Sequence, residues 1–153
     1  MLDQFIMMSH VVFGVFAILL AVALCVDVLN ASEVNLARMK KLSLLVALCV
    51  IVSYVIGGYW YVLYYGEHRD IIKAGSWPWA HTYFMEVKEH LFFVMLILSI
   101  YLPIAVYGST PFTGKKTKRF VLGICVLIVL LGLFMEVSGG IISKGVTMGL
   151  LRR

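Results

Sequence analysis

The sequence predicts an all-α integral membrane protein, a bundle of four transmembrane helices joined by short loops. Hydrophobic residues make up 62% of the 153-residue chain and charged residues only 14%. Mean hydropathy is +0.99, well outside the range of water-soluble domains. Four apolar runs, at about 5–29, 42–65, 83–107 and 120–142, each exceed the roughly 20 residues with which an α-helix crosses about 30 Å of hydrocarbon. The runs are continuous rather than alternating. That excludes a closed barrel, the other structure able to satisfy its backbone inside a bilayer. The chain reads as a single transmembrane domain, 1–153, with nothing outside it large enough to fold in water.

In the first run, Ala21-Val22-Ala23 mimics a signal-peptide cleavage site, but residues 1–9 carry no Lys or Arg. The run is also too long for an h-region, so a retained helix is expected. Ser32 is suited to cap a helix that begins at Glu33. The second run ends in Tyr59, Trp60, Tyr61, Tyr64 and Tyr65, the composition of an aromatic belt at the headgroup level, with one or two rings free to line a cofactor or quinone pocket. Residues 67–73 have the mixed polarity of a short interfacial helix, and Gly75 is placed to end it. Pro78, between Trp77 and Trp79, suits the first turn of the re-entering helix. Cys25, Cys49 and Cys125 lie singly on three helices. With no CxxC or CxxCH, neither a redox dithiol nor a covalently attached haem is encoded, and packing roles are expected.

Orientation follows from the basic residues. Arg38, Lys40 and Lys41 follow the first helix, and Lys115, Lys116, Lys118 and Arg119 follow the third. Arg69, Lys73, Lys144, Arg152 and Arg153 lie on the other side. The short-loop bias puts the two basic loops in the cytoplasm and both termini outside, as expected of a multi-pass protein of the cell inner membrane. The net charge of +5 then belongs to juxtamembrane loops beside lipid headgroups. No nucleic-acid surface is expected.

Ionisable side chains inside the apolar runs gather toward one end of the bundle: His10, Glu86, Lys88, Glu89, His90, Glu136 and Lys144. A charge at the centre of a bilayer costs about 2.5–3.5 kcal/mol on insertion scales and tends to be kept where it works. His10 and His90 lie at similar depths, to within about one turn. Two facing imidazoles are the axial ligands of a b-type haem, which needs no attachment motif. His81 is the reserve ligand, expected with His68 to be solvated. Gly14 continues the His10 face, and the Gly57-Gly58 pair stands at comparable depth; both suit the close approach of a macrocycle.

Three groups are expected to do chemistry beside the haem. Glu86 shares a helix face with His90 at i,i+4 and can orient its ring. Glu136, the acid set deepest in apolar sequence, suits a proton relay or a hydrogen bond to a quinol. Lys88 is expected either to snorkel to the headgroups or to neutralise Glu136, and Glu136 is equally readable as half of a salt bridge with Lys88 that locks the third and fourth helices. Met7, Met8, Met85 and Met135 accompany the histidines, and thioether with imidazole suits copper, the alternative cofactor. The other half of the bundle holds no histidine, so a second haem is not expected.

Four helices, Ser9-His10 early in the first, a Gly pair in the second and the stretch from Trp79-Ala80-His81 to Lys88-Glu89-His90 opening the third together resemble the small membrane haem proteins of the HemJ-type protoporphyrinogen oxidase and CopD-like group. The resemblance spans most of the chain at the level of architecture. It implies haem or metal handling, with His10, Lys88 and His90 at the matching positions. The third helix departs from the group's usual Trp-x-x-x-Lys spacing.

The function expected from these readings is a b-type cytochrome subunit with one haem near the outer face. It would pass electrons from a membrane quinol, or a partner's haem, to an outer-side acceptor, as an electron-transfer subunit of a quinol-linked oxidoreductase. Partner membrane or outer-side redox subunits would supply the docking surfaces. A copper-handling membrane protein and a non-catalytic structural subunit of a larger complex are the alternatives.

Overall fold

The computed structural model describes residues 2–108 and 114–151; Thr113, Arg152 and Arg153 lie outside them. The chain forms α1 (Leu2–Leu29), α2 (Glu33–Ala74), a π-helical turn (Ala80–Met85) that runs directly into α3 (Glu86–Gly108), and α4 (Lys115–Leu150). All four helices are long and apolar enough to cross a membrane. Successive helices run in opposite directions. The start of α1, the ends of α2 and α4 and the π turn therefore meet at one end of the bundle, here called the aromatic end. The other is the basic end.

The helices outrun the apolar segments. The separate interfacial helix expected over 67–73 does not exist: α2 continues unbroken to Ala74. Its 42 residues reach about 63 Å at 1.5 Å per residue, roughly twice the hydrocarbon thickness. No proline interrupts the stretch, and its far end is held by packing. Tyr65, Ile72, Ala80 and Ile142 form a cluster of α2, the π turn and α4 at the aromatic end. Gly75 closes α2, its N–H donating to the Ile72 carbonyl at 3.1 Å. Pro78 starts the next helical segment, and its carbonyl accepts from the N–H groups of His81 and Thr82.

Ser32 holds the extended backbone of an N-cap. The Asn35 Oδ1 accepts from its N–H at 2.9 Å, which is half of a capping box. Beside it, Asp27 is 3% exposed and is gripped by Arg38 through Nε at 2.7 Å and through Nη2. This pair fixes the tight connection between α1 and α2.

The bundle is apolar outside and mixed inside. Phe5, Phe16, Leu19, Val62, Ile97 and Val137 are exposed, whereas Ser43, Ser53, Ser99 and Ser138 are at most 2% exposed. Three of those serines return their hydroxyls to their own helix, donating to the carbonyls of Lys40, Leu96 and Phe134. Small polar residues between helices and large apolar ones outside are the pattern of packing in lipid. Leu24, Val28, Met39, Val46, Leu102 and Ile128 fill the core toward the basic end. Cys25, Cys49 and Cys125 are free thiols; Cys125 belongs to that same core and Cys25 packs against it.

Candidate functional site

A cavity of about 430 Å³ opens between all four helices in the aromatic half of the bundle. α2 gives it a stripe through Tyr54, Gly57, Gly58, Tyr61, Tyr65 and His68. These positions recur at three- and four-residue intervals, so they share one helix face. α1 contributes Met7, His10 and Val11, again one face. Lys88, Glu89 and Phe92 close it from α3, and Gly139 and Ser143 from α4. The volume lies within the roughly 300–1,000 Å³ of small-molecule sites, and the walls combine aromatic rings with a few polar groups, as such sites do.

His10 is fixed by α2. Its Nδ1 donates to the Ser53 carbonyl at 2.8 Å, while the Ser53 hydroxyl, 3.0 Å from the same nitrogen, donates to the His10 carbonyl at 3.1 Å. The carbonyl can only accept, so the proton is assigned to Nδ1 and the lone pair to Nε2, the arrangement that orients an imidazole for a metal. Gly57 makes room for the ring. A Cβ on it would lie 2.6 Å from Nδ1, well inside van der Waals contact.

Two further polar side chains lie against glycines of neighbouring helices. A Cβ at Gly14 would stand 2.7 Å from the Glu136 Oε1, and one at Gly139 would stand 3.2 Å from the Lys88 Nζ. Gly14 thus accommodates a carboxylate and does not line the cavity. Glu136 also stays outside the cavity wall, whereas Lys88 is part of it. Lys88 interacts electrostatically with both His10 and Glu136. Among the described residues no direct ion pair joins Lys88 to Glu136, so a salt-bridge lock between α3 and α4 is not formed.

The acid that does reach the cavity is Glu89. Its Oε1 is buried and has no hydrogen-bond partner among the described residues. Tyr61, on the facing stripe of α2, interacts electrostatically with it. The sequence gathers Glu89 with the other ionisable residues of this end but assigns it no chemical role. Its position next to Lys88 was the available signal, because adjacent residues on a helix lie about 100° apart and can both border a wide cavity.

His90 is not brought together with His10. It is exposed, is absent from the cavity wall, and turns its Nδ1 back to the Glu86 carbonyl at 2.7 Å. The expected pair of imidazole ligands is therefore not assembled within this chain. Depth along a helix was readable from residue counts, but direction was not. His90 stands two residues beyond Lys88, about 200° around the helix.

The π turn rearranges the rest. His81, expected to be solvated, is 5% exposed and bonds through Nδ1 to the Tyr65 hydroxyl at 3.0 Å. Its Nε2 lies 3.7 Å from the Glu86 Oε1. Neither His81 nor Glu86 borders the cavity, whereas His68, expected to be solvated, lies on α2 and does. No protein-family model matches this chain, and neither a curated protein nor a solved structure is significantly similar to it.

No group of three or more His, Cys, Asp or Glu side chains converges among the described residues, so a multidentate cage of those ligands is not built there. A cofactor that brings its own equatorial ligands makes a smaller demand. His10, whose Nδ1 is taken by the Ser53 carbonyl, would hold such a cofactor in a cavity also lined by Met7, Met85, His68 and Lys88. Tyr61 and Phe92 provide flat apolar surfaces, and Gly57 and Gly58 expose backbone. These residues fit a haem held by His10.

Proposed function

We propose that this chain is a membrane b-type cytochrome subunit whose aromatic-end cavity would bind one haem b, held by His10. The observation that carries this reading is the His10–Ser53 bond, which leaves Nε2 as the free nitrogen of an otherwise immobilised ring. When bound there, haem supplies one-electron redox chemistry. The chain supplies everything else. Ser53 and Gly57 hold the ligand ring in place. Phe92 and Tyr61 exclude water, and Lys88 places a cation where it favours the more negatively charged redox state. Glu89 offers an unpaired acceptor for a proton or hydroxyl.

The positive-inside bias puts the aromatic end on the outer face of the cell inner membrane. On that reading, electrons come from a membrane quinol or a partner's haem and leave to an outer-side acceptor, with partner subunits completing the path. A copper site is the second reading, favoured by the presence of Met7, His10 and Met85 among the residues that border the cavity. Metal analysis of protein purified after expression with both metals supplied separates them. The haem reading expects iron to copurify and to fall in His10→Ala. Copper retained without iron would replace it with the second reading.

A further inference from the structure

We propose that Tyr65, His81 and Glu86 form a proton path from the cavity to the surface of the aromatic end. The path deepens the haem reading, because a redox centre in the cavity is what would need protons moved. Its geometry and its test nevertheless stand without haem.

The three groups form one line. Tyr65 is 2% exposed and borders the cavity. Its hydroxyl lies 3.0 Å from His81 Nδ1. His81 is itself buried, and the Glu86 Oε1 stands 3.7 Å from its other ring nitrogen. The Glu86 side chain is 53% exposed, so the line ends on the outer surface of the bundle, near the start of the third apolar run. A single buried ring thus bridges the cavity and an exposed carboxylate, with a polar atom at each nitrogen.

The π turn is what builds it. His81 and Glu86 are five residues apart, a spacing that stacks side chains in a π-helix but splays them in an α-helix. The Glu86 N–H donates to the His81 carbonyl across this turn. An uninterrupted α-helix would have carried Glu86 away from the imidazole. A structural lock for the Tyr65 hydroxyl needs only one acceptor, and neither the second ring nitrogen nor the π turn would be required for it.

The carboxylate favours the proton on His81 Nε2, which leaves Nδ1 to accept from Tyr65. In one transfer outward, Tyr65 takes a proton from the cavity as its own passes to Nδ1, and the Nε2 proton passes to Glu86 and then to water. The line resets when water reaching the ring takes the Nδ1 proton and supplies one at Nε2, restoring the starting tautomer. The 3.7 Å step exceeds a hydrogen bond, so it is completed by a swing of the exposed Glu86 or by a bridging water. The charged groups facing His81 are Arg69 and Lys73 from α2 and Glu86 and Glu89 from α3. They balance in sign. From α4 the neighbouring surface is Gly145, packed against Ala80.

The test is the rate of hydrogen–deuterium exchange at the Tyr65 hydroxyl after a jump into D2O, read by infrared spectroscopy of the full chain in lipid nanodiscs. Tyr65→Phe assigns the signal. His81→Leu should slow exchange by about tenfold or more, in line with the loss of a positioned proton-transfer group. Glu86→Gln should slow it less, and added imidazole should restore the rate in His81→Gly. A rate in His81→Leu equal to or above wild type would overturn the path, since protons would then reach Tyr65 through the cavity. If His81→Leu fails to fold, Glu86→Gln decides alone: slower exchange supports the path and unchanged exchange overturns it. Haem absorption of the same samples reports separately on the cofactor, so failure of one reading leaves the other measurable.

Discussion

His10 and Ser53 are bonded in both directions: the imidazole Nδ1 donates to the Ser53 carbonyl at 2.8 Å, and the Ser53 hydroxyl donates to the His10 carbonyl at 3.1 Å. The first bond orients the ring and the second joins α1 to α2. They should separate by mutation. Ser53→Ala removes the hydroxyl but keeps the carbonyl, so it should cost about 1 kcal/mol of stability and leave cofactor content unchanged. Thermal unfolding and haem content per protein check this. Loss of cofactor in Ser53→Ala would mean that the hydroxyl, not the carbonyl, positions the ring.

Gly57 and Gly140 make a matched comparison within the membrane-spanning helices. A Cβ at Gly57 would clash with the His10 ring, whereas one at Gly140 would meet nothing within 4 Å. Gly57→Ala should therefore displace the imidazole, cost about 1–3 kcal/mol through overpacking and lower cofactor content. Gly140→Ala should be neutral, or stabilising by up to about 1 kcal/mol through helix propensity. Equal melting temperatures and equal cofactor content for the two variants would contradict the placement of His10 against Gly57.

Arg38 covers the buried Asp27 carboxylate at the basic end, far along α1 from the cavity. Arg38→Ala should leave that carboxylate without its ion-pair partner and lower the unfolding midpoint. Arg38→Lys should recover only part of this, because an ammonium cannot reproduce the two-pronged guanidinium contact. Unfolding midpoints of the two variants against wild type give the measurement. Cofactor content should not change in either.

The four helices were legible because 20-residue apolar runs leave the backbone no other solution in lipid. Their true lengths were not. What carries α2 to Ala74 and α4 to Leu150 is packing of the aromatic-end cluster around Tyr65, Ile72 and Ala80, which hydropathy does not register. At the site, the depths of His10 and Lys88 could be counted from the sequence, and both border the cavity. The direction of His90 depends on helix phase, and the π turn at Ala80–Met85 sets that phase through one extra residue that no periodicity in this stretch announces. For the same reason His81 was read as solvated, although the turn buries it between Tyr65 and Glu86. Glu89 stands in the sequence among the ionisable groups of this end, but the expected chemistry falls to Glu136, which lies deeper in apolar sequence. Depth does not indicate which acid borders the cavity and which packs against Gly14.

The central claim, haem held by His10, is tested most directly by the reduced-minus-oxidised visible absorption spectrum of protein purified from haem-replete cells. The expected result is a Soret band that shifts on dithionite reduction in wild type, is lost in His10→Ala and persists in His90→Ala. A wild-type protein without a Soret band, or a His10→Ala variant with an unchanged one, would contradict it.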